Sequence, residues 1–156
     1  MIEVEIEDHA WTSALPNAAD VSERAGQAVL DEIAPAGDGE ESGVAVLLTS
    51  DEAVAELNER FRHKAGPTNV LSFPASANPE NHLGDVCLAY GVCAREAAEQ
   101  GKSLEHHLMH LVAHGVLHLL GYDHETDGEA EAMEALERSI LESLGVPDPY
   151  ASERHP

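Results

Sequence analysis

Residues 114–124 read HGVLHLLGYDH, with three histidines and two glycines in eleven positions. His114 and His118 are four apart, which on an α-helix sets them about 40° apart around the axis and one turn apart along it. Their imidazoles therefore leave one face and can converge on one ion. Gly121 allows the left-handed conformation that stops a helix, and His124 can then return from the following segment as a third donor. Three neutral imidazoles suit zinc and leave a fourth position open, the mark of a catalytic rather than a closed structural site. The expected cofactor is one divalent ion per chain, Zn2+ first, with nickel or another divalent metal compatible with the same ligands.

Gly115 shapes the chemistry. The spacing H-x3-H-x5-H equals that of the extended zinc-peptidase pattern HExxHxxGxxH, and Gly121 falls where that pattern has its glycine. The glutamate that serves peptidases as general base is missing, because position 115 is glycine. A site without that partner for an amine leaving group fits a phosphodiester better, since a metal can neutralise its charge. Phosphate chemistry makes the basic residues relevant. There are eight, and three of them, Arg60, Arg62 and Lys64, fall within RFRHK (60–64) beside His63. Such an island can meet phosphates, an arginine through two parallel hydrogen bonds and His63 or Lys64 beside it.

Three other positions can support such a site from behind. His110 lies one turn before His114, and Asp123 sits in the turn after the helix, where a carboxylate can fix an imidazole tautomer. Asp85 interrupts an apolar strand, so its charge needs a partner there or a role in the site. His106 and His107 are expected to cap, pack or face solvent.

Working outward, IEVEI (2–6) alternates as a half-buried strand, and 18–33 carries apolar residues at helical spacing. GVAVLLTS (43–50) is a strand, followed by a capped helix through AVAELNERFRHK. VLSFP (70–74) and LGDVCLAY (83–90) are strands, and REAAEQ (95–100) is a short helix. Ser103 caps a long apolar helix over about 104–120, and Asp127 caps a last one ending at Gly145. The order predicts an α+β domain, a small mixed four-stranded sheet packed with about five helices. One domain over 1–145 is expected, with a loose tail over 146–156 after Pro147 and Pro149.

Composition sets limits. Hydrophobic residues make up 43% of the chain, which excludes wholesale disorder. No apolar run approaches the ~20 residues of a membrane span, and MIEVEIEDHAW has neither a basic nor a continuous apolar region, so a cytoplasmic location is expected. Cys87 and Cys93 read as reduced, packed thiols. A net charge of −22 excludes nucleic-acid binding through a broadly positive surface.

HGVLHLLGYDH resembles the signature of the YbeY family, bacterial endoribonucleases of ribosomal RNA maturation. LNERFRHKAGPTNVLSFP (57–74), LGDVCLA (83–89) and EAEAMEALERSILESLG (129–145) resemble three further blocks of that family, in its order and spacing. Asn69 stands in the second block where Asp is often expected. The resemblance implies a zincin-like fold, a metal on His114, His118 and His124, and a functional role for Arg62. It also implies metal-dependent cleavage of single-stranded RNA, serving 3′-end processing of 16S ribosomal RNA and ribosome quality control. The implied partners are an rRNA precursor, the 30S subunit and its assembly factors. One Trp, three Tyr and two Phe leave few residues for base stacking, so weak intrinsic RNA affinity is expected. Two rival readings are a peptidase-like metal hydrolase, which Gly115 opposes, and a non-catalytic assembly factor stapled by its metal.

Overall fold

Val44, Val46 and Leu48 alternate along β2 (Gly43–Thr49) and are all but fully buried, so this strand lies inside the sheet. It pairs in parallel with β1 (Ile2–Ile6) on one side and with β4 (His82–Ala89) on the other. β3 (Val70–Pro74) joins β4 antiparallel, which gives the order β1-β2-β4-β3 and leaves β3 as an edge. The computed structural model describes residues 1–33, 42–64, 66–76, 78–79, 81–122 and 125–150. The expected α+β domain with a mixed four-stranded sheet is what the chain forms.

Among the described residues six helices accompany the sheet: α1 (Ala10–Ala14), α2 (Ala18–Ile33), α3 (Asp51–Arg62), α4 (Tyr90–Glu99), α5 (Leu104–Leu119) and α6 (Asp127–Ser143). α5 is apolar around most of its circumference, as a helix at the centre of a domain must be. Its Leu108, Val112, Val116 and Leu117 join Val46, Val86 and Leu88 of the sheet and Val21 and Val29 of α2 in the main core. α3 covers a smaller cluster of Val54, Leu71 and Ala89, with Phe73 packed against it.

α5 starts where Ser103 accepts a hydrogen bond from the His106 amide at 3.0 Å. It stops in a Schellman turn: Gly121, at φ 98°, donates to His118 O at 3.0 Å, and Tyr122 donates to Leu117 O at 3.1 Å. Gly115 sets how closely the helix approaches the sheet. A Cβ there would lie 2.6 Å from Val86 Cγ1 and 3.2 Å from Ser72 Oγ. Ser72 Oγ in turn donates to Gly115 O at 3.2 Å.

The structure departs from the sequence reading in four places. α1 is additional; it carries Trp11, fully buried, whose indole N–H donates to Thr49 O at 3.0 Å. α4 begins directly after β4 at Tyr90 rather than at Arg95, because its first turn is capped from a distance: Asp51 Oδ1 accepts from the Val92 amide at 3.1 Å. The cap of α6 is Thr126, one residue before Asp127. Finally, 146–150 is not loose. Val146 and Pro149 are buried, and Lys102 Nζ donates to Pro149 O at 3.0 Å.

Both cysteines are free and buried. Burial, with Asp85 and Glu7 adding to it, pushes the Cys87 thiol up to about 12, and burial raises Cys93 further. Neither thiol should react with a disulfide reagent at pH 8 until denaturant is added, whereas labelling of the native protein within minutes would contradict this packing. Gly115→Ala should cost about 1–3 kcal/mol in chemical denaturation, since its methyl has no room against Val86.

Candidate active site

His114 and His118 project from the last turns of α5 toward the free edge of β3, and their Nε2 atoms lie 3.0 Å apart. The opposite nitrogen of His114, Nδ1, meets Glu137 Oε1 of α6 in a short contact. The carboxylate thus favours the tautomer that turns Nε2 toward His118, the arrangement by which a carboxylate orients a metal-binding imidazole. Glu137 is fully buried. Its other oxygen accepts from the Tyr150 hydroxyl and lies 3.4 Å from His110 Nε2, which is itself 3.2 Å from the Tyr150 hydroxyl. Burial alone would raise the Glu137 pKa, but hydrogen bonds from His110, His114 and Tyr150 hold it at about 2, so it is ionised at neutral pH.

In front of the histidine pair lies a cleft of about 490 Å³. Arg62, Ser72, Asn69 and Glu125 line it together with His114 and His118. Arg62 reaches it from the end of α3, and its Nη2 donates to Ser72 O at 2.7 Å. That carbonyl belongs to the edge strand, so the guanidinium is held across the rim of the sheet, 5.8 Å from the Phe73 ring centroid. Asn69 donates from Nδ2 to Glu96 Oε1 at 3.0 Å and accepts the Val70 amide through Oδ1 at 2.7 Å. An Asp here would set two carboxylates face to face, so Asn is the residue this neighbourhood accommodates. Glu96 also meets His107 Nε2 at 3.0 Å, and burial pulls His107 below the usual histidine range despite that carboxylate.

Comparison with known proteins agrees with this architecture. A family model described as Endoribonuclease YbeY matches residues 5–145. The Endoribonuclease YbeY of Maricaulis maris is 49% identical over 152 residues, spanning 97% of this chain and 92% of that protein. Its counterpart in Azorhizobium caulinodans is 49% identical over 156 residues, spanning 96% of each chain. The chain belongs to the YbeY endoribonuclease family. The solution structure of TM1509 from Thermotoga maritima has a similar fold, with a TM-score of 0.58 at 26% identity, covering 99% of this chain and 97% of that one.

Set on this YbeY-family fold, the residues singled out by sequence fall into three groups. Arg62, His114 and His118 share the cleft, and His110 stands behind them through Glu137. His63 and Lys64 do not join it; they border a shallow surface with Glu52, Glu56 and Glu59. Asp85 also points elsewhere: it is half exposed, and its Oδ1 lies 3.0 Å from His82 Nε2. Strand alternation turns it away from Val86, the residue that meets α5. His124 and Asp123 lie outside the described residues.

Two further residues matter that the sequence reading passed over. Glu125 brings a carboxylate to the cleft directly after the histidine motif. Glu137 occupies the apolar stripe of α6 with Met133, Ile140 and Leu141, and that misplaced charge was the available signal.

Donor atoms of His110, His114 and Glu137 lie within 4.8 Å of one another, so that cluster also has the composition of a metal site. Both Glu137 oxygens are already engaged by hydrogen-bond donors, and the carboxylate is sealed from solvent. Glu137→Gln should keep the fold but weaken any divalent-metal binding about 10- to 100-fold, measured by competition with a chromophoric chelator.

Proposed function

We propose that the chain is a metal-dependent endoribonuclease that cuts single-stranded RNA, acting on the 3′ end of the 16S rRNA precursor and in ribosome quality control. The observation that carries this is one cleft shared by an arginine and a pair of convergent imidazoles. The donor set fits zinc: His114 and His118 would hold the ion through Nε2, with His124 as the third ligand expected from the sequence. When bound, the ion would supply charge neutralisation at the phosphoryl group and acidify a water molecule.

The chain's own residues supply the rest. Arg62 binds the non-bridging oxygens of the scissile phosphate, and its bond to Ser72 O orients the guanidinium before substrate arrives. Glu125 is the one acid lining the cleft among the described residues, and on this reading it takes a proton from the attacking hydroxyl. Glu137 keeps His114 Nδ1 occupied, which leaves Nε2 as the nitrogen that would hold the ion. Gly115 cannot be read as a lost peptidase base, because a side chain at that position would be driven into Val86 rather than toward a substrate. The natural partners on this reading are the 30S subunit and its factors, in the cytoplasm. No helix among the described residues is long and apolar enough to cross a membrane.

Metal content by mass spectrometry on untagged protein should give about one zinc or similar ion per chain, lost in the His114→Ala, His118→Ala double variant. Arg62→Ala should bind metal and fold normally yet lose about 10²–10³-fold in RNA cleavage. If Arg62→Ala cuts as well as the parent, the phosphate-clamp reading fails and the assembly-factor reading gains. Ends carrying 2′,3′-cyclic phosphate would identify the RNA's own 2′-hydroxyl as nucleophile; simple hydrolytic ends would identify water.

A further inference from the structure

The chain has two phenylalanines, Phe61 and Phe73, and the fold places them edge to face with ring centroids 5.6 Å apart. Phe73 packs against the Val54–Leu71–Ala89 cluster. Phe61 does not bury itself: it is 57% exposed, and among the described residues Met1 is the other large apolar side chain left so open. One exposed apolar residue is ordinary on a protein surface. This one has specific neighbours. The Arg60 guanidinium carbon lies 6.0 Å from its ring centroid, and that of Arg62 lies 5.8 Å from the Phe73 centroid. Ser72 and Pro74, which flank Phe73 in β3, line the cleft with Arg62. Strand alternation turns Phe73 to the face opposite Ser72 and Pro74, and the Arg62 guanidinium, which both approaches the Phe73 ring and lines the cleft, spans from this ring pair to the cleft.

A bare aromatic face flanked by guanidinium groups is how sequence-tolerant sites grip single strands, by stacking a base and attracting the backbone. The charge pattern favours the same occupant. In a chain of net charge −22, two of the eight basic side chains sit at this pair of rings, which suits an anionic polymer better than an acidic or neutral surface. Arg60 is engaged with Glu56 at 2.9 Å, but both side chains are mostly exposed, so the pair is weak and can be exchanged for a phosphate.

We infer that Phe61 is a stacking platform for an unpaired base of the RNA, holding a nucleotide next to the scissile phosphate bound by Arg62. This rests on the ribonuclease reading given above. The platform gives the site a grip on single strands that does not depend on base identity. It also opposes duplex substrates, whose bases are already stacked.

The test uses the full-length, metal-loaded protein and short single-stranded oligoribonucleotides. Phe61→Leu keeps an apolar contact with Phe73 and removes the ring; Phe61→Tyr and Phe61→Trp keep a ring. Loss of one base–aromatic stack should raise KM about tenfold in Phe61→Leu while kcat stays within about twofold, and both aromatic variants should restore it. An oligonucleotide carrying 2-aminopurine beside the cut site should be quenched on binding the parent protein and not on binding Phe61→Leu. The inference is overturned if Phe61→Leu matches the parent in KM and quenching. It is equally overturned if the loss of affinity persists in the Tyr and Trp variants, since the residue would then serve packing alone. A parent protein that cleaves RNA while these variants behave alike removes the platform and leaves the ribonuclease standing; a parent protein that neither binds nor cleaves RNA removes both.

Discussion

The close contact between α5 and the sheet at Gly115 governs the arrangement of the site. Without a side chain there, the helix settles against Val86, and Ser72 Oγ bonds to the Gly115 carbonyl. Helical geometry then divides the remaining positions. Val112 and Val116 enter the core, His114 and His118 emerge at the rim beside β3, and His110 and His114 face Glu137 of α6. A bulkier residue at 115 would push the helix outward and carry both imidazoles away from Arg62, which is tethered to Ser72 on the same strand. The glycine that distinguishes this motif from its peptidase look-alike is therefore a packing residue that sets where both imidazoles lie.

Glu137 imposes the second requirement. An ionised carboxylate sealed from water is unfavourable unless donors surround it. Here they come from His110, His114 and Tyr150, so two helices and the C-terminal segment converge on one charge. This accounts for the docking of residues 146–150: Val146 and Pro149 are buried and Lys102 holds the Pro149 carbonyl, which brings the Tyr150 hydroxyl to the carboxylate. The network that stabilises the buried charge is also the one that sets the His114 tautomer. Fold stability and the orientation of the His114 ring thus share a single group.

What could be read in the sequence was local and periodic. The four-residue histidine spacing, the Ser103 cap, the Gly121 stop and the alternation of β1 all express themselves within a turn or two of chain, and each is present. What escaped reading was supplied across the fold. The start of α4 is capped by Asp51, 41 residues away, so no local signal marks it. Glu137 lies in a helix crowded with glutamates, where only its phase with Met133, Ile140 and Leu141 sets it apart. The run RFRHK looked like one basic patch, but Arg62 is the last helical residue and His63 adopts the left-handed conformation at φ 56°. That reversal sends His63 and Lys64 toward Glu52, Glu56 and Glu59, and Arg62 toward the cleft.

This splitting of the basic run bears on how so acidic a chain can handle RNA. At physiological ionic strength, exposed charges more than about 8 Å apart are largely screened. A phosphate in the cleft therefore responds mainly to the groups that line it, Arg62, the two imidazoles and Glu125, rather than to the net −22. The rest of the surface does matter for approach, because it provides no broad positive field to steer a polyanion toward the site. Of the other two cations of the run, Arg60 pairs with Glu56 and Lys64 borders three glutamates. On the ribonuclease reading, such a protein associates slowly with free RNA and gains little from non-specific binding along it. Its substrate is then best supplied already single-stranded and already held, as on a ribosomal particle whose proteins carry the positive charge this chain lacks. The acidic surface becomes an asset there: it discourages engagement of RNA at large and leaves cutting to the strand that reaches the one cleft where Arg62 waits.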